Sequence, residues 1–486
     1  MAYKWQCLVA VCFGTFMATM DFSIVNVALP TLSKEFDSPP NTVVWATLIS
    51  SLVVTGLTLT AGRVGDLWGR KRVYITGWII FTVGMGVAAL AQSIEQLIAI
   101  RFFQAVGVSL AIANGNAIVT EAFPDNERGT ALGTTGAVVG AGLMSGPIVG
   151  GFVLEALNWQ AIFYLRVPIG LVAMTMAFLF IRPSEGQTHA GPRKLDIPGA
   201  VTLFAALSAG LLAVNRGQPW GWSSPVILGL FAVAAVSLAL FLRVESRAAS
   251  PVIALSLFKV REFTVSVSSL VLNFAGQSAV TFLMPFYLIQ IKGYSTAHMG
   301  LILATVPSMM LLLSPFSGRL SDRYHFRYQT TLGIAIVSVG LLSLATLEAS
   351  TSTPMIMARL ALVGIGTSIF MSPNSSAIMG SVPRNMLGTA SASVATSRNI
   401  GNAVGLAMAS TLLVAVASAA AGFTASRTDG YPVDALLDGV RAAFLVGAAV
   451  SSLAIVASSF RGRRDVPGAA ATTKLATAGP ASNRSD

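Results

Sequence analysis

Asp21 stands inside an uninterrupted apolar stretch, where a carboxyl group can bind and release a proton. Cys7 to Met20 carries no formal charge, and the chain stays apolar to Leu29 before Pro30 breaks it. Read as a helix with ~1.5 Å rise per residue, the stretch puts Asp21 about 20 Å from one end and about 12 Å from the other. An acid in hydrocarbon costs about 2.5–3.5 kcal/mol even on the lenient insertion scale, so such groups face a bundle interior or a watery cavity. Arg101, Arg166 and Arg398 also fall within apolar stretches. Low dielectric favours a neutral acid, whereas a nearby guanidinium favours the carboxylate. That tension lets one group exchange a proton for a bound molecule as water access changes sides. Asp21 and Arg101 are the expected proton-coupling residues. The expected lining of a substrate cavity is Asp21, Arg166 and Arg398 with the neutral polar residues Asn26, Gln104, Asn273, Gln277 and Asn374.

These residues must be held by helices in a membrane. The chain has 486 residues, 54% hydrophobic and 10% charged, against roughly 25% charged in a soluble domain. Apolar segments of crossing length fall at 7–29, 43–61, 73–91, 96–120, 130–153, 160–181, 197–214, 224–242, 263–286, 299–317, 329–347, 355–380, 388–418 and 440–460. An all-α integral membrane protein of fourteen transmembrane helices is expected, with interfacial turns admitted in the long 388–418 segment. Of the 31 Lys and Arg, all but Lys34, Arg101, Arg166, Arg216, Lys292, Arg359, Arg398, Arg427 and Arg441 fall in the N-terminus, every second loop and the tail. That bias sets both termini on the cytoplasmic side of the cytoplasmic (inner) membrane. It puts Lys34, Lys292 and the 419–438 loop outside, and Arg70, Lys194, Lys259 and the tail inside. The same placement assigns the net charge of +11 to topology and not to nucleic acid. Lys4 and the first apolar run would suit a cleaved signal peptide, but no small-x-small cleavage site follows.

An internal echo divides the chain. GRVGD at Gly62–Asp66 recurs as GRLSD at Gly318–Asp322, an offset of 256 residues that nearly carries Arg101 onto Arg359. Two parallel repeats with binding at their interface describe one large class of secondary transporters. The expected organisation is a six-helix bundle over 1–182, two inserted helices with flanking cytoplasmic loops over 183–262, a second six-helix bundle over 263–460, and a disordered cytoplasmic tail over 461–486. Cys7 and Cys12 share one helix, and His189, His298 and His325 fall in loops. Neither a disulfide framework nor a metal site is indicated, and no phosphate-binding loop for a built-in ATP motor occurs. No cofactor is expected, and no nucleophile, base or metal set suggests an enzyme.

Five stretches carry a more specific signal. GRVGDLWGRKR, Gly62 to Arg72, reads on chemistry alone as a tight cationic turn. RFFQAVGVSLA opens a helix at Arg101, which serves either function or a structural hydrogen-bond hub. In GAVVGAGLMSGPIVGG, Gly136/Gly140, Gly142/Gly146 and Gly146/Gly150 are spaced for close helix packing, and Pro147 removes a backbone donor. MDFSIVNVALP and NWQAIFYLRVPIG complete the set. The Gly-x-x-x-Asp-x-x-Gly-Arg-Lys-Arg loop resembles the signature of the major facilitator superfamily. The Gly-Pro-x-x-Gly-Gly ending resembles its exporters' antiporter motif, and the first-helix motif resembles that of the fourteen-span drug:proton antiporters. Departures are Ala105, Gln160 and Arg166, which replace a glycine, an arginine and an asparagine. The resemblance spans Ala10 to about Phe460.

What it implies is a major facilitator fold of two six-helix bundles plus two inserted helices. It implies a conformational latch of Gly62, Asp66, Gly69, Arg70 and Arg72, with Asp66 facing the start of the 388–418 helix. An antiporter motif of Gly142, Gly146, Pro147, Gly150 and Gly151 is implied with it. The expected function is proton-coupled export of amphipathic small molecules such as drugs, dyes or antibiotics by alternating access, as a monomer in the lipid bilayer. Other readings are a dedicated exporter of one metabolite or lipid, a proton-coupled importer, and a membrane enzyme or receptor. If Arg166 or Arg101 pairs with Asp21, no spare negative charge remains to attract a cation. Neutral or weakly acidic substrates then compete well, unless Arg166 merely snorkels to the outer interface.

Overall fold

Hydrocarbon offers no partner to a free peptide group, so each apolar segment closes its hydrogen bonds within itself as a helix. The computed structural model describes residues 2–183, 195–248, 251–323, 326–423 and 431–459, and every regular element among them is helical. Three short helices aside (Pro40–Val43, Ala161–Tyr164 and Thr296–Leu303), the principal ones are α1 (Tyr3–Glu35), α2 (Trp45–Trp68), α3 (Arg70–Ala88), α4 (Ile94–Ala122), α5 (Arg128–Ala156), α6 (Val167–Phe180) and α7 (Ile197–Trp220). They continue as α8 (Pro225–Glu245), α9 (Arg261–Phe286), α10 (Thr305–Arg323), α11 (Phe326–Leu344), α12 (Thr353–Gly380), α13 (Leu387–Ala421) and α14 (Val433–Ser459).

Each expected segment coincides with one of these helices. By length and composition, however, 12 can cross a membrane. The helix at α11 counts as a shorter apolar one, Tyr328–Leu344, and α3, which opens on Arg70, Lys71 and Arg72, is not among the 12. Two further expectations are corrected. Pro30 does not break α1, which runs on to Glu35, because one missing donor does not end a helix when its other peptide groups remain paired. The 388–418 segment contains no interfacial turn; α13 is continuous over 35 residues. The tail expected to be disordered, Lys194, Arg427 and residues 424–430 of the loop expected outside lie beyond the described residues.

Close packing rests on small residues, as expected where lipid is as apolar as the side chains. Gly77 of α3 and Gly107 of α4 let those helices touch backbone to backbone, as Gly333 of α11 and Gly366 of α12 do in the second half. Across the halves, α5 lies on α10 through Gly133, Gly140, Ser314 and Gly318, while α2 meets α13 through Gly62 and Gly388. The inserted α7 packs against α8 and also touches α2 and α13. It therefore rests on the seam between the halves.

Candidate functional site

Asp21 sits near the middle of α1, 5% exposed. The Arg101 Nη1 of α4 donates to both its oxygens, at 3.1 and 2.9 Å, and the Arg166 Nη1 donates to Oδ1 at 2.6 Å. Arg166 stands immediately before α6, at the joint with the short helix Ala161–Tyr164, and its Nε donates to the Ile162 carbonyl. Arg101 also reaches the Gln104 Oε1 (2.9 Å) and the Ala46 carbonyl (3.3 Å). Both arginines are 2% exposed. The outcome is a buried acid between two cations, so Arg166 pairs inward and does not snorkel. Taking these charges out of water is costly unless paired, which explains why one carboxylate collects both.

The helix that carries Asp21 is pressed on both sides of it by α5. A Cβ on Gly142 would overlap Thr19, and one on Gly146 would overlap Ser23; Ser23 Oγ donates to the Gly142 carbonyl at 3.3 Å. Gly150 touches Ile24, whereas Gly151 has no neighbour within reach of a Cβ. Three of the four motif glycines thus have a packing role and Gly151 does not. α5 runs unbroken past Pro147.

At the far end of the halves, Asp66 is fully buried. Its carboxylate accepts from the Gly388 and Thr389 amides, each at 2.9 Å, and from Thr389 Oγ1 at 3.1 Å. Those amides open α13, where free N–H groups and the helix dipole favour an anion. Arg70 binds Asp66 from its own loop (2.7 Å), pairs with Glu121 (2.7 Å), and donates to the Arg384 carbonyl (2.6 Å) across the seam. Gly69, at φ 103°, ends α2 and starts α3 in one residue, a backbone shape open to glycine. Arg72 is exposed and takes no part.

A second device of the same kind was not foreseen. Asp322 accepts from the Gly129 and Thr130 amides at 2.7 and 2.8 Å and from Thr130 Oγ1 at 2.6 Å, at the start of α5. Ser372 Oγ donates to the Gly129 carbonyl at 2.8 Å. The signal was present in the GRVGD/GRLSD echo, and Gly-Thr opens both receiving helices.

Between the halves lies a cavity of about 80 Å³. Its lining comes from α1, α3, α4 and α5 on one side and from α12 and α13 on the other, and includes Thr19, Tyr74, Trp78, Asn116, Ser375 and Arg398. Of the eight residues expected to line a cavity, only Arg398 does so here. Asp21, Arg166 and Gln104 belong to the buried ion cluster, because the arginines satisfy the acid. Asn26 is exposed and donates to the Phe22 carbonyl on its own helix. Asn273 accepts from Ser451 and Asn374 donates to the Ser266 carbonyl, both fully buried between helices. Gln277 is half-buried away from this cavity. Tyr74 and Trp78 had no sequence signal: aromatic residues in an apolar helix look like ordinary packing.

Compared with known proteins, residues 11–406 match the family described as the Major Facilitator Superfamily. The chain is 37% identical over 408 residues to the riboflavin transporter RibZ of Clostridioides difficile (strain 630), covering 84% of this chain and 88% of that one. It is 30% identical over 396 residues to the multidrug transporter protein MdtP of Bacillus subtilis (strain 168), covering 81% and 72%. The tetracenomycin C resistance and export protein of Streptomyces glaucescens is 26% identical over 409 residues, covering 84% and 76%. Among solved structures, the human organic anion transporter MFSD10 (TETRAN) matches with a TM-score of 0.66 at 14% identity, over 94% of this chain and 99% of that one. The proton:xylose symporter XylE matches at 0.63 and 14%, over 93% and 94%. At these identities the two structures speak to the fold.

Proposed function

We propose, for a chain that belongs to the Major Facilitator Superfamily, that it exports amphipathic small molecules across the cytoplasmic membrane in exchange for protons. The observation that carries this reading is the placement of Asp21. The glycines of the exporter-like motif, Gly142 and Gly146, press on Thr19 and Ser23, which flank the acid. A shift of α5 on α1 is therefore felt at the carboxylate and its two arginines. The multidrug relatives add support for amphipathic cargo.

The cycle runs as follows. The six-helix halves, 1–182 and 263–460, rock about the seam with the inserted pair against it. Asp66 and Asp322 hold one end closed, and release of both opens the cavity to that side. Proton entry neutralises Asp21 and loosens Arg101 and Arg166; proton loss restores the cluster. Because the acid already carries two cations, the interior has no spare negative charge. Neutral and acidic amphipaths are preferred to dications.

A second reading follows from the relative at 37% identity: dedicated movement of a flavin-like metabolite on the same scaffold. Inverted vesicles containing the protein, given an imposed proton gradient, separate the two. Gradient-driven accumulation of several unrelated amphipathic dyes supports drug export. Movement of riboflavin with no dye moving replaces it with the dedicated reading, and no gradient dependence for either overturns proton coupling.

A further inference from the structure

The central cavity is rich in unsatisfied donors. Arg398 is the one formal charge among its lining residues, and no acid stands with it. Arg398 makes no hydrogen bond or ion pair to any described residue. Tyr74 and Trp78 line the same space, and apart from each other the Tyr74 hydroxyl and the Trp78 indole nitrogen have no hydrogen-bond partner among the described residues, although these residues are only 2% and 1% exposed. Their rings lie edge to face, 5.9 Å apart. Even an indole N–H turned on the phenol oxygen would leave the phenol hydrogen with no acceptor. Gly14 makes this arrangement possible, since a Cβ there would overlap both rings. The neighbouring threonines do not answer the need. Thr19 and Thr135 donate to the Thr15, Phe16 and Ala131 carbonyls, and neither accepts a hydrogen bond from Tyr74 or Trp78.

Buried donors are nearly always paired, and each one left unpaired is costly. Here Arg398 borders the cavity from one half, and Tyr74 and Trp78 border it from the other. The missing partner is a negatively charged acceptor, which takes short, charge-assisted bonds from such groups. The rest of the wall mixes apolar residues, among them Ala111, Ile112, Leu132, Val139, Met371 and Val394, with neutral polar ones such as Asn116 and Ser375. We infer that this cavity binds the anionic head of a singly charged amphipath, a carboxylate or similar oxyanion on an apolar body, with Arg398 supplying the charge and Tyr74 and Trp78 the directed donors. The inference rests on the export reading for its role in transport and names the cargo class. A cavity of about 80 Å³ holds the head group and a few further atoms. Drug-sized sites occupy roughly 300–1,000 Å³, so the body enters as the halves part.

Two probes with one fluorescent body test this: dansylglycine, a carboxylate, and its neutral methyl ester. Their affinities are measured for the full-length protein in detergent without a proton gradient. Dansylglycine should bind more tightly than the ester. Arg398→Gln should lower the carboxylate-to-ester ratio at least about tenfold, as expected for loss of a hydrogen bond to a charged group. Arg398→Lys should keep most of that ratio, and Tyr74→Phe and Trp78→Phe should each reduce it about threefold. A ratio near one in the parent protein, or a ratio that Arg398→Gln leaves unchanged, overturns the assignment. If Arg398→Gln aggregates, the two aromatic variants decide, and unchanged ratios in both overturn it. Gradient-driven flux of the ester in vesicles is read separately. Flux retained with an Arg398-insensitive ratio removes the anion site alone. An Arg398-sensitive ratio without gradient-dependent flux removes proton-driven export and leaves the site standing.

Discussion

At the ends of α2 and α10 the two halves carry the same device, an aspartate seated on the first amides of a helix in the other half; inside the bundle they carry different chemistry. The offset of 256 residues that takes Asp66 to Asp322 also takes Asp21 to Gln277. Asp21 is enclosed by Arg101 and Arg166, whereas the buried Gln277 Oε1 has no partner among the described residues. Even the shared device is not identical. Asp66 is fully buried and bound by Arg70, while Asp322 is half-buried with no cation among the described side chains, and Phe326 occupies the place that corresponds to Arg70. The echo repeats the seam aspartate in both halves, whereas Asp21 has no acidic counterpart in the second. On the proposed function, that division suits a transporter in which both halves must swing but a single acid suffices to couple a proton.

The largest effect should come from breaking the interior difference. Asp21→Asn keeps the shape and much of the hydrogen bonding but carries no proton. Proton release on substrate addition to purified protein should vanish, and gradient-driven flux should fall to that of protein-free vesicles. Gln277→Leu, at the corresponding place, should keep flux within about threefold, the scale of an average hydrogen bond between membrane helices. Undiminished proton release from the Asp21 variant would falsify the one-sided account. Loss of release from the Gln277 variant would show that both interiors take part.

Next come the latches. Asp66→Asn removes the carboxylate and leaves Arg70, 2% exposed, with Glu121 as its remaining acid. Asp322→Asn strands no described cation. Turnover should fall about tenfold or more for Asp66→Asn, in line with loss of charged hydrogen bonds, and less for Asp322→Asn, with ligand affinity little changed in either. The sharper test is a double variant: Arg70→Gln added to Asp66→Asn should recover part of the loss, because the stranded charge goes with it. Equal turnover for the two single variants, or no recovery in the double, would put the difference somewhere other than Arg70.

How much of this could be read from the chain depended on the range of each interaction. The helices were legible because apolar length alone demands them, and Asp66 was placed against α13 through a local motif whose partner the resemblance supplied. The pairing of Asp21 with both Arg101 and Arg166 was open: depth allowed it, but depth does not say which way a side chain turns. The cavity lining was misjudged for the same reason. Polar residues at cavity depth, such as Asn273 and Asn374, are buried between helices, where they meet Ser451 and the Ser266 carbonyl, while Tyr74 and Trp78 look like ordinary packing until the fold sets them at the cavity. Asp322 is less legible than Asp66 despite the echo, because its loop lacks the Gly-Arg-Lys-Arg ending that makes the first one specific.

The smallest effects concern glycines and ask whether packing, as well as charge, differs between the halves. Gly146 of α5 presses on Ser23 beside the acid, and Gly405 of α13 presses on Ala275 and Ser278 in the other half. Alanine at either should cost about 1–3 kcal/mol, the usual scale of overpacking, seen as a lower unfolding temperature in detergent. Only Gly146→Ala should also weaken proton release per folded molecule, since of the two helices pressed only α1 carries an acid beside the contact, whereas the acid of α9, Glu262, stands in its first turn; an equal loss for Gly405→Ala would detach release from α1. Gly151 supplies the control. It belongs to the same motif by spacing, yet an added methyl meets nothing within 4 Å, and it lies inside a helix, where glycine is about 0.5–1 kcal/mol worse than alanine. Gly151→Ala should therefore leave transport unchanged and raise the unfolding temperature slightly. A loss of transport in Gly151→Ala would mean that this face of α5 meets a partner in another stage of the cycle, and the motif's last glycine would then mark a contact made only when the halves have swung.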